Sequence, residues 1–288
     1  MKTALPTFWQ EIGDLPHSVS YLQVGDWNTR VLSVGEGDDA IILLAGTTGH
    51  LEAFAHNIRA LAENHRVVAY DYPGHGFSTL AEDDLEISDY EAHLLELLDV
   101  LGLDKAHLCG ESLGGWIALK FAQNYPERVK TLILSAPGGQ MVNKQAMSKT
   151  RPVSKAAVEH PTFDNVKQRL QVVIHNPELI TDELVRMRQA VYSREGFATS
   201  MHHILALQRP ETRYRNRVTE ADYAALPVPT LLVWTDHEPT GGVETGQRFA
   251  DLIPDGELLI IRNAAHWPQW EDPRAFNDYA VDFLRRKG

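Results

Sequence analysis

The chain has 288 residues, 43% of them hydrophobic and 23% charged, and a formal net charge of −12. This suits an α/β core with an insertion, and the excess of carboxylates argues against a nucleic-acid partner, whose affinity rests on clustered Lys and Arg. No stretch approaches the roughly 18 to 20 apolar residues of a membrane span.

Met1 to Pro6 lacks the apolar region of a secretory signal. The single Cys109 rules out an internal disulfide. The expected setting is cytoplasmic. The expected partners are a small-molecule substrate and at most a second copy in a homodimer, with no membrane and no nucleic acid.

In chain order, two alternating segments, Ser18 to Val24 and Thr29 to Val34, read as an antiparallel hairpin at a sheet edge. Ala40 to Leu44 is a continuous apolar run, as in a parallel strand covered on both faces. It ends in the loop Ala45-Gly46-Thr47-Thr48-Gly49. Phe54, Ile58 and Leu61 give a helix, Val67 to Tyr70 a strand, and Asp71 to Ser78 a polar turn. Ile87, Tyr90, Leu94, Leu97, Leu98 and Leu101 share one helical face.

Lys105 to Cys109 follows as a buried strand and runs into Gly110-Glu111-Ser112-Leu113-Gly114-Gly115. Leu113, Trp116, Ile117 and Phe121 then recur at helical spacing. A G-x-S-x-G pattern between a strand and a helix is the nucleophile elbow, a sharp turn that lifts a serine hydroxyl above the end of a sheet.

Val129 to Leu134 makes one more strand. From about Gly138 to Leu226 only helix-period segments occur, with Pro152, Pro161, Pro177 and Pro210 expected at helix boundaries. Strands resume at Thr230 to Trp234 and Glu257 to Ile261, around a helix near Val243 to Ile253, and Asp272-Pro273 opens a closing helix. The expected fold class is α/β, an α/β-hydrolase fold with a mostly parallel sheet and helices on both faces. Residues 1–137 and 227–288 form the core, and 138–226 an inserted helical lid over a largely apolar pocket. The basic run Arg209 to Arg217 reads as a solvated face.

A serine hydroxyl is a weak nucleophile until a base takes its proton and a third group fixes that base's tautomer. His266 stands in the loop after the last strand, and Asp236 and Glu238 in the loop after the strand before it. The order serine, acid, histidine is the one this sheet requires. The backbone N–H of Leu113, with that of Thr47 or Thr48 beside Gly46, would hold the oxyanion. No H-E-x-x-H pattern or cysteine pair suggests a metal, and no cofactor is expected.

At these residues the chain resembles the α/β-hydrolase superfamily over nearly its whole length. Within it the chain is most similar to the meta-cleavage-product hydrolases, which cut a C–C bond in vinylogous diketone acids. The likeness rests on Gly110 to Trp116, Ile180 to Arg188, Leu231 to Trp234 and Ala265 to Glu271. It implies that Arg188 and Trp267 line the substrate pocket and that Glu238, rather than Asp236, is the acid. The superfamily's His-Gly is Ala45-Gly46 here, and Glu111 stands where many C–C hydrolases carry asparagine. An ionised Glu111 in the cleft would pair with Arg188 and repel an anionic dienoate. Ester or lactone hydrolysis through an acyl-enzyme is therefore the leading expectation, with C–C cleavage of 2-hydroxy-6-oxo-dienoates as the alternative.

Overall fold

The structure, a computed structural model, describes residues 5–141 and 144–288, with side chains described outside 142–151. Eight strands form one sheet: β1 (His17–Val24), β2 (Trp27–Val34), β3 (Ala40–Leu44), β4 (Arg66–Tyr70), β5 (Ala106–Glu111), β6 (Val129–Ser135), β7 (Thr230–Thr235) and β8 (Gly256–Ile261). Their spatial order is β1-β2-β4-β3-β5-β6-β7-β8. β1 and β2 pair antiparallel, and β2 joins β4 antiparallel. From β4 to β8 every pairing is parallel.

Because strand side chains alternate between faces, each apolar strand serves two cores. Ile42, Leu44, Leu108, Leu132 and Leu232 join a cluster with Leu94, Leu97, Ile117, Phe121 and Phe249, from helices Ile87–Val100, Leu113–Asn124 and Val243–Leu252. Ile41, Leu43, Cys109, Ile133 and Val233 join another with Ile58, Phe276, Ala280 and Phe283. Strands buried on both sides read as unbroken apolar runs for this reason. The closing helix Pro273–Lys287 starts as expected, with Asp272 accepting the Ala275 N–H at 3.0 Å.

Between β6 and β7 the described residues form helices and no strand. The second cluster continues into them through Val166, Leu170, Val185 and Phe197, so this segment packs onto the core with apolar side chains of its own. Pro152 departs from expectation: it lies inside the helix Lys144–Glu159 rather than at its edge. The residue is exposed, so a carbonyl deprived of its N–H donor can turn to water. Pro177 and Pro210 do open short helical segments. Among the described residues no helix is long and apolar enough to cross a membrane.

Candidate active site

The loops after β3, β5, β7 and β8 meet above the carboxyl ends of the strands, where ligands bind in parallel α/β sheets. Ser112 sits between β5 and the helix Leu113–Asn124 with φ 53° and ψ −111°, a strained turn for a residue with a Cβ. Its N–H donates to the Ser135 carbonyl at 3.0 Å, and its carbonyl accepts the Gly138 N–H at 2.8 Å. A Cβ on Gly110 would collide with the Gly114 carbonyl, so the elbow closes only with glycine there.

Ser112 Oγ lies 2.9 Å from His266 Nε2, and His266 Nδ1 lies 2.9 Å from Glu238 Oε2. Glu238 is held by the Thr240 N–H at 3.1 Å and the Thr240 hydroxyl at 2.8 Å, both on Oε1. Asp236 makes no contact with the imidazole, its Oδ1 accepting the Ala264 N–H at 3.4 Å. Asp236 thus steadies the loop that carries His266. Glu271 does so more strongly, accepting the N–H groups of Ala265 at 2.7 Å and His175 at 2.6 Å. Burial alone would lower the His266 pKa, but the Glu238 carboxylate, aided by Glu111, outweighs it and lifts the imidazole to about 9.

A cavity of about 200 Å³ opens onto Ser112 and His266 and is bounded by Gly46, Thr47, Leu113, Glu111, Arg188 and Trp267 among others. As the first residue of its helix, Leu113 has an N–H that no helical carbonyl can take. Thr47 borders the cavity. Thr48 does not, its buried hydroxyl lying 2.9 Å from the Tyr192 hydroxyl on the helix Asp182–Tyr192. Tyr72 steadies this loop by donating to the Gly46 carbonyl at 3.2 Å.

The walls are more polar than expected. Arg188 is 1% exposed, its guanidinium 5.1 Å from the centre of the Trp267 ring, and its Nε and Nη2 have no hydrogen-bond partner among the described residues. The ion pair expected between Arg188 and Glu111 does not form among the described residues, where no side-chain hydrogen-bond donor meets the buried Glu111 oxygens and the Gly46 N–H is the backbone group that faces them. Glu111 Oε1 instead stands 3.6 Å from His266 Nε2. Burial, helped by Glu238, outweighs the pull of His266 and Arg188 and raises the Glu111 carboxyl to about 7. The repelling charge inferred from sequence alone is thus weakened by burial, which the Gly46 N–H and the charges of His266 and Arg188 do not offset.

Two further arginines line the same cavity. Arg169, on the helix Phe163–Leu170, has a buried Nη1 with no hydrogen-bond partner among the described residues. Arg213, assigned above to a solvated face, is half-buried, donates from Nη2 to the Gln140 carbonyl at 2.6 Å and stacks 5.3 Å from the centre of a Trp116 ring. Neither carries a motif signal, since arginine on an amphipathic helix marks solvent as readily as a pocket.

At the opposite end of the sheet, Asp39, His65 and His107 place one possible ligand atom each within 4.8 Å of one another, a grouping the sequence did not suggest. Asp39 Oδ1 is already paired with Lys130, a cation that competes with any metal there.

The sheet order, the elbow and the hydrogen-bonded Ser112, His266 and Glu238 define a hydrolase scaffold. The chain belongs to the α/β-hydrolase fold family, whose model matches residues 39–273. It is 32% identical over 268 residues to a 2-hydroxy-6-oxononadienedioate/2-hydroxy-6-oxononatrienedioate hydrolase of Comamonas testosteroni, covering 91% of this chain and 92% of the relative. It is 31% identical over 268 residues, with the same two coverages, to a 2-hydroxy-6-oxo-6-phenylhexa-2,4-dienoate hydrolase of Burkholderia cepacia. Among solved structures, a meta-cleavage product hydrolase from Pseudomonas fluorescens IP01 matches with a TM-score of 0.79 and 27% identity, covering 93% of this chain and 98% of that one.

Proposed function

We propose that this α/β hydrolase cleaves a C–C bond in 2-hydroxy-6-oxo-dienoate acids, the alternative expectation rather than the ester or lactone reading. The observation that carries this is Arg188. A guanidinium 1% exposed, with two unpaired nitrogens in the wall of the cavity that holds Ser112, costs several kcal/mol unless an anion meets it. A neutral ester leaves that cost standing, whereas a dienoate carboxylate removes it with a bidentate, charge-assisted pair. The activities for which the relatives are named point the same way.

In this reading Ser112 attacks the 6-keto carbon while His266 takes its proton, and Glu238 orients the imidazole and stabilises its charge. The N–H groups of Leu113 and Thr47 receive the oxyanion, and Thr48 supports the loop from behind. The C5–C6 bond breaks from the ketonised substrate, in which the O2 proton has moved to C5 and C3=C4 is conjugated with the O2 carbonyl. Its electron pair passes through C3=C4 onto O2, and His266 returns the serine's proton to the resulting dienolate. Water then hydrolyses the acyl-serine. Trp267 and Gly46 border the bound substrate, and the helices from 138 to 226 act as a lid. No step calls for a cofactor, and the reaction is placed in the cytoplasm.

The test is a pair of substrates given to the wild-type enzyme, a 2-hydroxy-6-oxo-6-phenylhexa-2,4-dienoate and a neutral aryl ester of similar size. The dienoate is expected to exceed the ester at least a hundredfold in kcat/KM. The reverse ranking would return the reaction to ester or lactone hydrolysis.

A further inference from the structure

Glu111 lines the cavity and has no part in the mechanism above. It is the last residue of β5, 0% exposed, with both carboxyl oxygens buried and unpartnered among the described residues. Oε1 lies 3.6 Å from His266 Nε2, the same nitrogen that stands 2.9 Å from Ser112 Oγ. Oε2 packs so closely on Gly46 that a Cβ on that glycine would overlap it. The carboxyl is therefore wedged between the nucleophile's base and the loop expected to hold the oxyanion.

We propose that Glu111 acts as a neutral carboxylic acid that donates a hydrogen bond to the anionic head of the substrate, completing with Arg188 a site that reads a carboxylate by one cation and one acid. This rests on the dienoate reading above.

A buried carboxylate persists when donors surround it, and loses its charge to a proton when they do not. The groups that face Glu111 come from every surrounding element: Gly46 after β3, Tyr72 after β4, Glu238 after β7, His266 after β8, and Arg188 and Arg169 from the helices between β6 and β7. Burial, the largest influence, and Glu238 oppose its ionised form, while His266, Arg188 and the Gly46 N–H favour it. In the empty cavity the balance lies at about 7. An arriving carboxylate adds a negative charge and displaces water, and each change drives a proton onto Glu111. Once neutral, the group has an O–H to donate, and the substrate's carboxylate is the acceptor the site otherwise lacks.

The experiment uses the Ser112→Ala protein, which binds without turnover, and the same 2-hydroxy-6-oxo-6-phenylhexa-2,4-dienoate. Infrared difference spectra at pH 8 should show a protonated-carboxyl C=O stretch appearing on binding and missing when Glu111→Gln is added. The glutamine keeps a donor without a titrating proton, so the dissociation constant should stay within about threefold. Glu111→Leu, which removes the donor, should weaken binding about thirtyfold. The glutamine variant carries both readouts if the leucine variant fails to fold.

Binding without the infrared band, or at least tenfold tighter binding by Glu111→Gln, would mean an ionised, repelling Glu111 and would overturn this proposal alone. No binding of the dienoate by a protein whose wild type hydrolyses aryl esters would overturn the substrate reading, and this proposal with it.

Discussion

The two ends of the sheet treat ionisable groups in opposite ways. At the amino ends of the strands, Asp39 is engaged on both oxygens, with His107 at 3.2 Å and Lys130 on one and His65 at 3.0 Å on the other, while His107 Nδ1 meets the Thr131 hydroxyl at 2.8 Å. At the carboxyl ends Glu111, Arg188 and Arg169 all keep buried polar atoms without a hydrogen-bond partner among the described residues. Both ends are rich in ionisable groups, so composition does not separate them. Between these two clusters satisfaction does: Asp39 and His107 are paired within the fold, and the groups left open in the cavity keep a desolvation cost that a ligand can relieve.

The contrast breaks most sharply at the nucleophile. Ser112→Ala removes the attacking oxygen and should lower kcat on any substrate by several orders of magnitude while leaving thermal unfolding near that of the wild type. Glu238→Gln keeps the shape of the acid but loses the charge that steadies the imidazolium, and about a 10⁴-fold loss in kcat is expected. Asp236→Asn, two residues away and bonded only to backbone, should cost less than about tenfold, since hydrogen bonds of its kind contribute about 1 kcal/mol. Steady-state kinetics on the three variants decides the acid, and a larger loss at Asp236 would reverse the assignment.

Arg188 sharpens the comparison by substrate. If its unpaired nitrogens await an anion, Arg188→Gln should lower kcat/KM for a dienoate about a hundredfold or more and for a neutral aryl ester by only a few-fold. Equal losses on both would mean that Arg188 supports the cavity wall rather than reading charge.

The coupling between Glu111 and His266 gives a third test, in pH. The base works only as neutral imidazole, and in the empty site its pKa is held near 9, burial being outweighed by Glu238 and Glu111. With an aryl ester, kcat/KM should therefore climb with pH through about 9. Glu111→Gln removes one of the two carboxylates that retain the proton, so the midpoint of that rise must move down. An unmoved midpoint would show that the 3.6 Å contact carries no electrostatic coupling.

These tests also mark where the chain was legible. Ser112 follows from a motif whose strand, turn and helix appear in order, and His266 from its place in the loop after the last strand, β8. Choosing Glu238 over Asp236 needed a resemblance, since two carboxylates in one turn are equivalent until the turn's shape is known. Arg169 and Arg213 stayed hidden because apolar periodicity shows which face of a helix packs, not whether its polar face meets water or a cavity. Glu111 was visible as a residue but not as an acid. Its protonation depends on burial outweighing the groups that face it, and that balance leaves no trace in sequence. Pro152 was misplaced because the rule about its N–H ignores the solvent available to an exposed helix.

The smallest effect belongs to the far end of the sheet, and it checks the contrast from the other side. Burial alone would raise the Asp39 carboxyl, but Lys130, His107 and His65 prevail and hold it at about 2. A carboxyl whose folded pKa lies below its unfolded value of about 4 adds stability above that value, and the contribution disappears as pH falls toward 2. The side chain is 53% exposed, so solvent screens the pairing and the gain at neutral pH should not exceed about 1 kcal/mol. Asp39→Asn should therefore lower the unfolding free energy by up to that amount at pH 7 and by nothing near pH 2, in urea titrations at matched ionic strength. Activity should be unchanged at both substrates, because no residue of this cluster borders the cavity. A loss of kcat larger than threefold would show that the paired end of the sheet communicates with the open one, and that hydrogen-bond satisfaction does not by itself separate structure from function in this molecule.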